Sequence, residues 1–139
     1  MSCYLNIYLV PKSEEGQESK PIFLTQYSRN TDIYSAITEN MVVPYVMDKD
    51  VYADLTPSIM QEVKYDVEKS ISTMKNRTDT LYKMLEKNYN EDLKDDIVQS
   101  EDFIKELQEQ LKVVENIKYI VDEVNSDWSN FEKVVVNQG

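Results

Sequence analysis

Histidine is absent from this chain, and in 139 residues cysteine occurs once, glycine twice and proline four times. Each scarcity removes a class of chemistry or of structure. Without imidazole there is no Ser-His-Asp or Cys-His nucleophile, no histidine metal site and no proton shuttle working near neutral pH. Gly16 and Gly139 are too few and too far apart to build a phosphate-cradling loop or a dinucleotide fingerprint. So few glycines and prolines also leave little material for tight turns, which favours long regular elements and above all helix. The single Cys3 cannot close an internal disulfide and reads as a small apolar side chain in a reducing compartment. No apolar run approaches the roughly 18 to 20 residues that cross a bilayer, and residues 4–10 are too short and lack a basic leader. The expectation is a chain that neither spans a membrane nor is secreted.

Basic charge is scarce too: 15 Lys and Arg stand against 26 Asp and Glu, a net charge of -11. That balance opposes nucleic-acid phosphates and anionic membranes, because either would have to overcome like-charge repulsion. Solubility explains it more simply than mimicry of a nucleic acid. What remains is ordinary for a folded domain, 41% hydrophobic and 29% charged. The length suits one domain over residues 1–139, with a core that can be buried without disulfides or metals.

Three stretches organise the chain: a β-unit with a short helix and connector (1–55), a helical hairpin (56–126) and a closing strand (127–139). Residues 3–10 are aromatic and β-branched, with Cys3, Leu5, Ile7 and Leu9 at period two, and Pro11 ends the strand. Residues 12–20 are polar and turn-forming, so 21–28 reads as the returning strand, Ile22 and Leu24 on one face and Phe23, Thr25 and Tyr27 on the other. Ser28, Asn30 and Thr31 are N-cap residues for a short helix reaching about Asn40. Between Met41 and Leu55 the pattern breaks around Pro44 and the Asp48-Lys49-Asp50 turn, which predicts an irregular connector with at most a brief strand.

Thr56-Pro57 is a strong helix start, since threonine caps free amides and proline at the first position forgoes a bond the helix cannot make. Met60, Val63, Val67, Ile71, Met74, Thr78, Leu81 and Leu85 then step by three or four and keep one seam. Asn88 to Asp92 carry the chemistry of a helix-to-helix reversal. The second helix continues the seam with Leu93, Ile97, Ser100, Ile104, Leu107, Leu111 and Val114, then shifts phase to Ile117, Val121 and Val124. At 1.5 Å per residue each helix of about 30 residues runs roughly 45 Å, so part of the hairpin protrudes or pairs with another subunit. Residues 131–136 read as the last strand. The fold class is α+β and predominantly helical: a small antiparallel β-unit of two N-terminal strands and a C-terminal one, a short helix, and a long antiparallel, coiled-coil-like hairpin.

Two places offer a partner something. Tyr27, Ser28, Arg29, Asn30 and Thr31 combine a ring, hydroxyls, an amide and one of two arginines at a helix N-terminus, where backbone amides favour anions. They read either as an ordinary cap with a solvent-facing arginine or as a phosphate or nucleotide contact. Tyr65, Tyr82, Met84, Val98, Phe103 and Val113 lie beside or off the helical seam and widen the apolar surface, which predicts homo-oligomerisation through the hairpins. Tyr4, Tyr8, Tyr27, Tyr34 and Tyr45 gather near the β-unit, as core rings with hydroxyls at the edge or as a base-stacking surface. The carboxylates Asp92, Asp95, Asp96, Glu101 and Asp102 read as a solvated face before a magnesium site. No cofactor or metal is expected, and no catalytic residue.

The segment Leu5-Asn6-Ile7-Tyr8-Leu9-Val10-Pro11, the Tyr27-Ser28-Arg29 turn into a short helix and the ending Phe131-Glu132-Lys133-Val134-Val135-Val136-Asn137 resemble small proteins of tailed phages from gut bacteria, the crAss-like phages among them. The resemblance covers the two ends of the chain and implies a viral origin and expression inside a bacterial host. It supplies no catalytic residue. The leading expectation is a non-enzymatic, oligomeric binding protein in the host cytoplasm, blocking a host or defence protein or sequestering a small nucleotide-like signal. The alternatives are a virion or assembly component with the hairpin as a strut, and an acidic nucleic-acid mimic.

Overall fold

The structure, a computed structural model, describes residues 4–13, 20–28, 31–41, 43–47, 49–126 and 129–139. Its elements run β1 (Tyr4–Pro11), β2 (Ile22–Ser28), α1 (Asp32–Glu39), β3 (Tyr45–Met47), β4 (Asp50–Leu55), α2 (Pro57–Lys87), α3 (Glu91–Val124) and β5 (Phe131–Gln138). The fold is α+β and mostly helical, as the sequence predicts. Helix starts follow the capping chemistry: Thr31 accepts from the Tyr34 amide at 3.4 Å, Thr56 from Ile59 at 3.2 Å and Asn90 from Asp92 at 2.8 Å. Cys3 and most of the expected 12–20 loop fall outside the described residues.

The β-unit is larger than expected. Five antiparallel strands stand in the order β2-β1-β5-β4-β3. The expected irregular connector contributes two of them, and β5, which joins β1 as expected, is flanked on its other side by β4 and so lies in the middle. The β3–β4 hairpin closes with Met47 opposite Asp50, and Lys49 takes φ 72°, where glycine or asparagine is the usual occupant. A bulge opposite Ile7 and Tyr8 gives β2 one extra residue. It overturns the expected alternation: Tyr27 joins Leu24 against the main core, while the Phe23 ring meets Tyr8 on the opposite face.

Helices cover one face of the sheet. Leu5 and Ile7 of β1, Ala53 and Leu55 of β4, and Val134 and Val136 of β5 share one core with Ile33 and Ile37 of α1 and the sheet-proximal seams of α2 and α3. Val10, Tyr52 and Val135 form a second, smaller cluster with Tyr8 and Met47 on the other face. The hairpin seam is the predicted one: Met60, Val63, Val67, Ile71 and Thr78 are buried on α2, and Ile97, Ser100, Leu107, Val114, Ile117, Val121 and Val124 on α3. Beyond Met74 and Leu107 the helices bury only each other, so the distal part of the hairpin projects past the core.

One polar contact interrupts that seam. Thr78 donates its hydroxyl to the Met74 carbonyl at 2.8 Å and lies 2.6 Å from Ser100 Oγ. Its single proton is thereby committed, so Ser100 donates to Thr78. A buried polar pair in an otherwise apolar seam fixes the relative register of two helices, because any slip leaves both hydroxyls unpaired. Thr78→Val alone is expected to cost about 1–2 kcal/mol in urea unfolding, through the orphaned Ser100 hydroxyl. Adding Ser100→Ala should recover most of that loss. Two strictly additive losses would show that the pair is uncoupled.

Candidate functional site

α1 has only eight residues, and the hairpin beside it is far longer. Where α1 stops, a step is left in the helical layer. Asn40 holds the end of α1 against α2: its side-chain amide donates to the Ala36 carbonyl at 2.7 Å and to Asp66 Oδ2 at 3.3 Å. Both amide protons are used, so the cap that ends one helix also fixes its distance from the next.

The step is a cleft of about 510 Å³. Ala36, Val67, Met74 and Leu107 supply apolar lining, Ser35, Ser70 and Thr73 supply hydroxyls, and Glu39, Asp66 and Lys69 supply charge. Phe103 of α3 stands at its far side, 41% exposed. A second cavity of about 340 Å³ continues beyond that ring, lined by Arg77, Asp96, Gln99 and Ser100 and sharing Met74 and Phe103 with the first. The two make one groove along the hairpin with Phe103 as a divider. Apolar surface predominates in the first cavity, as at many recognition sites, and polar and apolar surface are about equal in the second.

The sequence candidates map onto this unevenly. Phe103 is in the groove. Tyr82 hydrogen-bonds Glu101 across the hairpin, and Val113 is half-buried against the main core rather than widening an outer surface. At 100° per residue Tyr65, midway between Val63 and Val67, and Val98, next to Ile97, point away from the seam, and both are exposed. Met84 is exposed near the hairpin tip. The six residues therefore do not share one face. At the start of α1, Thr31 donates its hydroxyl to the Ser28 carbonyl at 2.6 Å and caps Tyr34, so that hydroxyl serves the turn. Burial pushes the Tyr27 hydroxyl up from 10.0, with a Thr25 hydrogen bond working the other way. Arg29 and Asn30 lie outside the described residues.

The tyrosines do not assemble a stacking platform. Tyr27 and Tyr34 pack against the helix-side core. Tyr8 meets Phe23 and Tyr52 edge-on, with centroids 5.8 and 5.5 Å apart, and such packing fills space without offering parallel faces to a base. Tyr45 donates to Asp54 Oδ1 at 2.5 Å, and Lys133 sits 4.6 Å above its ring and 3.6 Å from the same carboxylate. This triad ties β3, β4 and β5 together. No group of three or more histidine, cysteine or acidic side chains among the described residues could hold a metal ion.

The groove was missed at the sequence level because its walls come from three helices. Its only local signal is the set of small side chains, Ser35 and Ala36 on α1 and Ser70 and Thr73 on α2, beside bulky Met74.

Burial and the Asp54 hydrogen bond both raise Tyr45 above 10.0. Burial lowers Lys133, and the Tyr45 hydroxyl and Asp54 outweigh it, leaving Lys133 above 10.5. Stability from raised groups is intact below their unfolded values and drains as pH climbs through the folded ones, so the triad weakens only in strong alkali. Asp54→Asn is expected to lower the Tyr45 titration midpoint, read as the absorbance difference against Tyr45→Phe. An unmoved midpoint would reject the carboxylate as a cause. Comparison of the chain with protein-family models, curated proteins and solved structures finds no match.

Proposed function

We propose that this chain is a binding protein, not an enzyme, that acts inside a bacterial host by gripping a host protein through the α1–α2–α3 groove. The observation that carries the reading is the pair of adjoining cavities divided by Phe103. A mainly apolar cup followed along the hairpin by one lined with Arg77, Asp96, Gln99 and Ser100 suits an amphipathic segment that sets an apolar anchor in the first and a polar or charged side chain in the second, one turn or two apart. The charges suit the same occupant. Glu39, Asp66 and Asp96 outnumber Lys69 and Arg77 around the groove, so a lysine or arginine flanking the anchor is met by carboxylates.

This balance favours a protein segment over a nucleotide-like signal, whose phosphates would sit among carboxylates with two cations to offset them. The net charge of -11 speeds encounter with a basic partner and does little for a bound neutral one. Blocking needs no chemistry beyond occupancy. Interfaces that hold stably cover about 800 Å² per partner, so the groove acts as the anchor of a wider contact.

A randomised peptide library selected on the wild-type protein tests this. The expected isolates carry an apolar anchor and, one or two turns away, a polar or basic residue. Thr73→Trp, which fills the first cavity from an exposed position, should abolish their binding, and Phe103→Ala should weaken it about 10-fold or more with the fold intact. Peptides that bind Thr73→Trp as well as wild type, or nucleotides that raise the melting temperature where peptides do not, would sink the reading.

A further inference from the structure

The two edges of the sheet are unlike. β3 is three residues long, follows Pro44 and ends at a turn carrying Lys49 and Asp50, which leaves little for another strand to pair with. β2 has seven residues, roughly 23 Å of edge, and among the described residues it pairs only with β1. Its sequence, Ile-Phe-Leu-Thr-Gln-Tyr-Ser, contains no charge and no proline in a chain that is 29% charged. Lys20 and Pro21 guard the approach to β2 as Pro44 does that to β3, and the bulge at Leu24 interrupts its edge, but residues 25–28 keep regular register with β1. At its other end Ile22 is 50% and Phe23 54% exposed, large apolar side chains on an edge where lysine is the usual guard.

We infer that β2 is a self-association edge, on which a second copy of this chain adds its own β2 antiparallel to make a continuous sheet across a two-fold axis. The choice of occupant follows from charge. Two copies at -11 repel wherever their acidic helices approach, and β2 is the long edge where neither brings a charge. A two-fold axis supplies antiparallel pairing of a segment with itself, and each uncharged residue then meets an uncharged one. A foreign basic strand would find no carboxylate within β2 to select it. This association is independent of the groove. It also moves the expected oligomer from the hairpins, whose exposed apolar residues are scattered, to the sheet.

Sedimentation equilibrium of the full chain at micromolar concentration tests the inference. The expected mass is twice the 16.3 kDa of one chain, with association strengthened by added salt as repulsion is screened. Phe23→Lys with Gln26→Lys alters two exposed positions on one face of β2 and should halve the mass while the cooperative fold is kept, with the melting temperature lowered by loss of the Phe23–Tyr8 ring contact and of the partner. Tyr65→Lys with Val98→Lys, on outer faces of the hairpin, should leave the dimer intact, as should Thr73→Trp in the groove. A monomeric wild type overturns the inference, and so does a dimer that survives the β2 substitutions or one that dissolves with the hairpin substitutions. Should the β2 variant fail to fold, hydrogen exchange of wild-type protein decides. The amides of residues 22–27 that point away from β1 are expected to lose protection on dilution while those bonded to β1 keep it, and concentration-independent protection of the outward ones overturns the inference.

Discussion

Everything in this molecule depends on the hairpin bringing the chain back to where it left. β4 and β5 are antiparallel neighbours in the sheet, yet 75 residues separate Leu55 from Phe131 in number, and α2 and α3 fill most of that interval. The helices are 31 and 34 residues long, roughly 46 and 51 Å, so the outward and return paths nearly cancel. β5 is also the strand the sheet can least do without, because Val134, Val135 and Val136 are buried on both faces between β1 and β4. A slip of one heptad in the seam would displace the start of β5 by about 10 Å, three residues of strand, and would invert its faces. The Thr78–Ser100 pair therefore acts at a distance. It sits beyond the core yet fixes the register on which the core relies.

The same arrangement produces the groove. α1 follows β2 on the helix side of the sheet, and its eight residues suffice to cover Ile33 and Ile37 but not to run alongside the whole hairpin. A longer α1 would pack over Thr73, Met74 and Phe103 and leave no groove. Asn40 makes the ending abrupt, since both donors of its amide are satisfied at the corner. Phe103 then remains exposed because the helix that would have covered it stops one step short.

Much of this was legible in residues with a single meaning. Thr56-Pro57 and Asn90 mark helix starts because few other roles suit those residues before an apolar repeat, and the seam from Met60 to Leu85 holds because helical periodicity is local. The sheet was less legible. Residues 45–55 read as a connector because their turn lacks the glycine that usually announces a two-residue hairpin; Lys49 takes the left-handed conformation instead. The β2 faces depart from simple alternation because a bulge is set by the partner strand, and a period-two count within one strand cannot reveal it. The groove lay further out of reach. Ser70 and Thr73 are polar residues on an exposed flank of a helix, and only the neighbouring helices make that flank a wall.

Charge links these features. Carboxylates such as Glu62, Glu68, Asp95, Asp102 and Glu106 line the outer faces of the hairpin, where they oppose the association of hairpins that the apolar seam would otherwise invite. A coiled-coil seam of this length without such repulsion would exchange partners between chains as readily as it closes on itself. Negative charge thus favours closure of the hairpin on itself over pairing with a second hairpin, the closure that β5 needs to reach its own sheet. The cost of that device is that it cannot act where side chains carry no charge, and β2 is such a place. Repulsion spread over helices falls off within about 10 Å at moderate salt, less than half the length of that strand. An edge so long and so neutral lies outside the protection that the rest of the molecule enjoys.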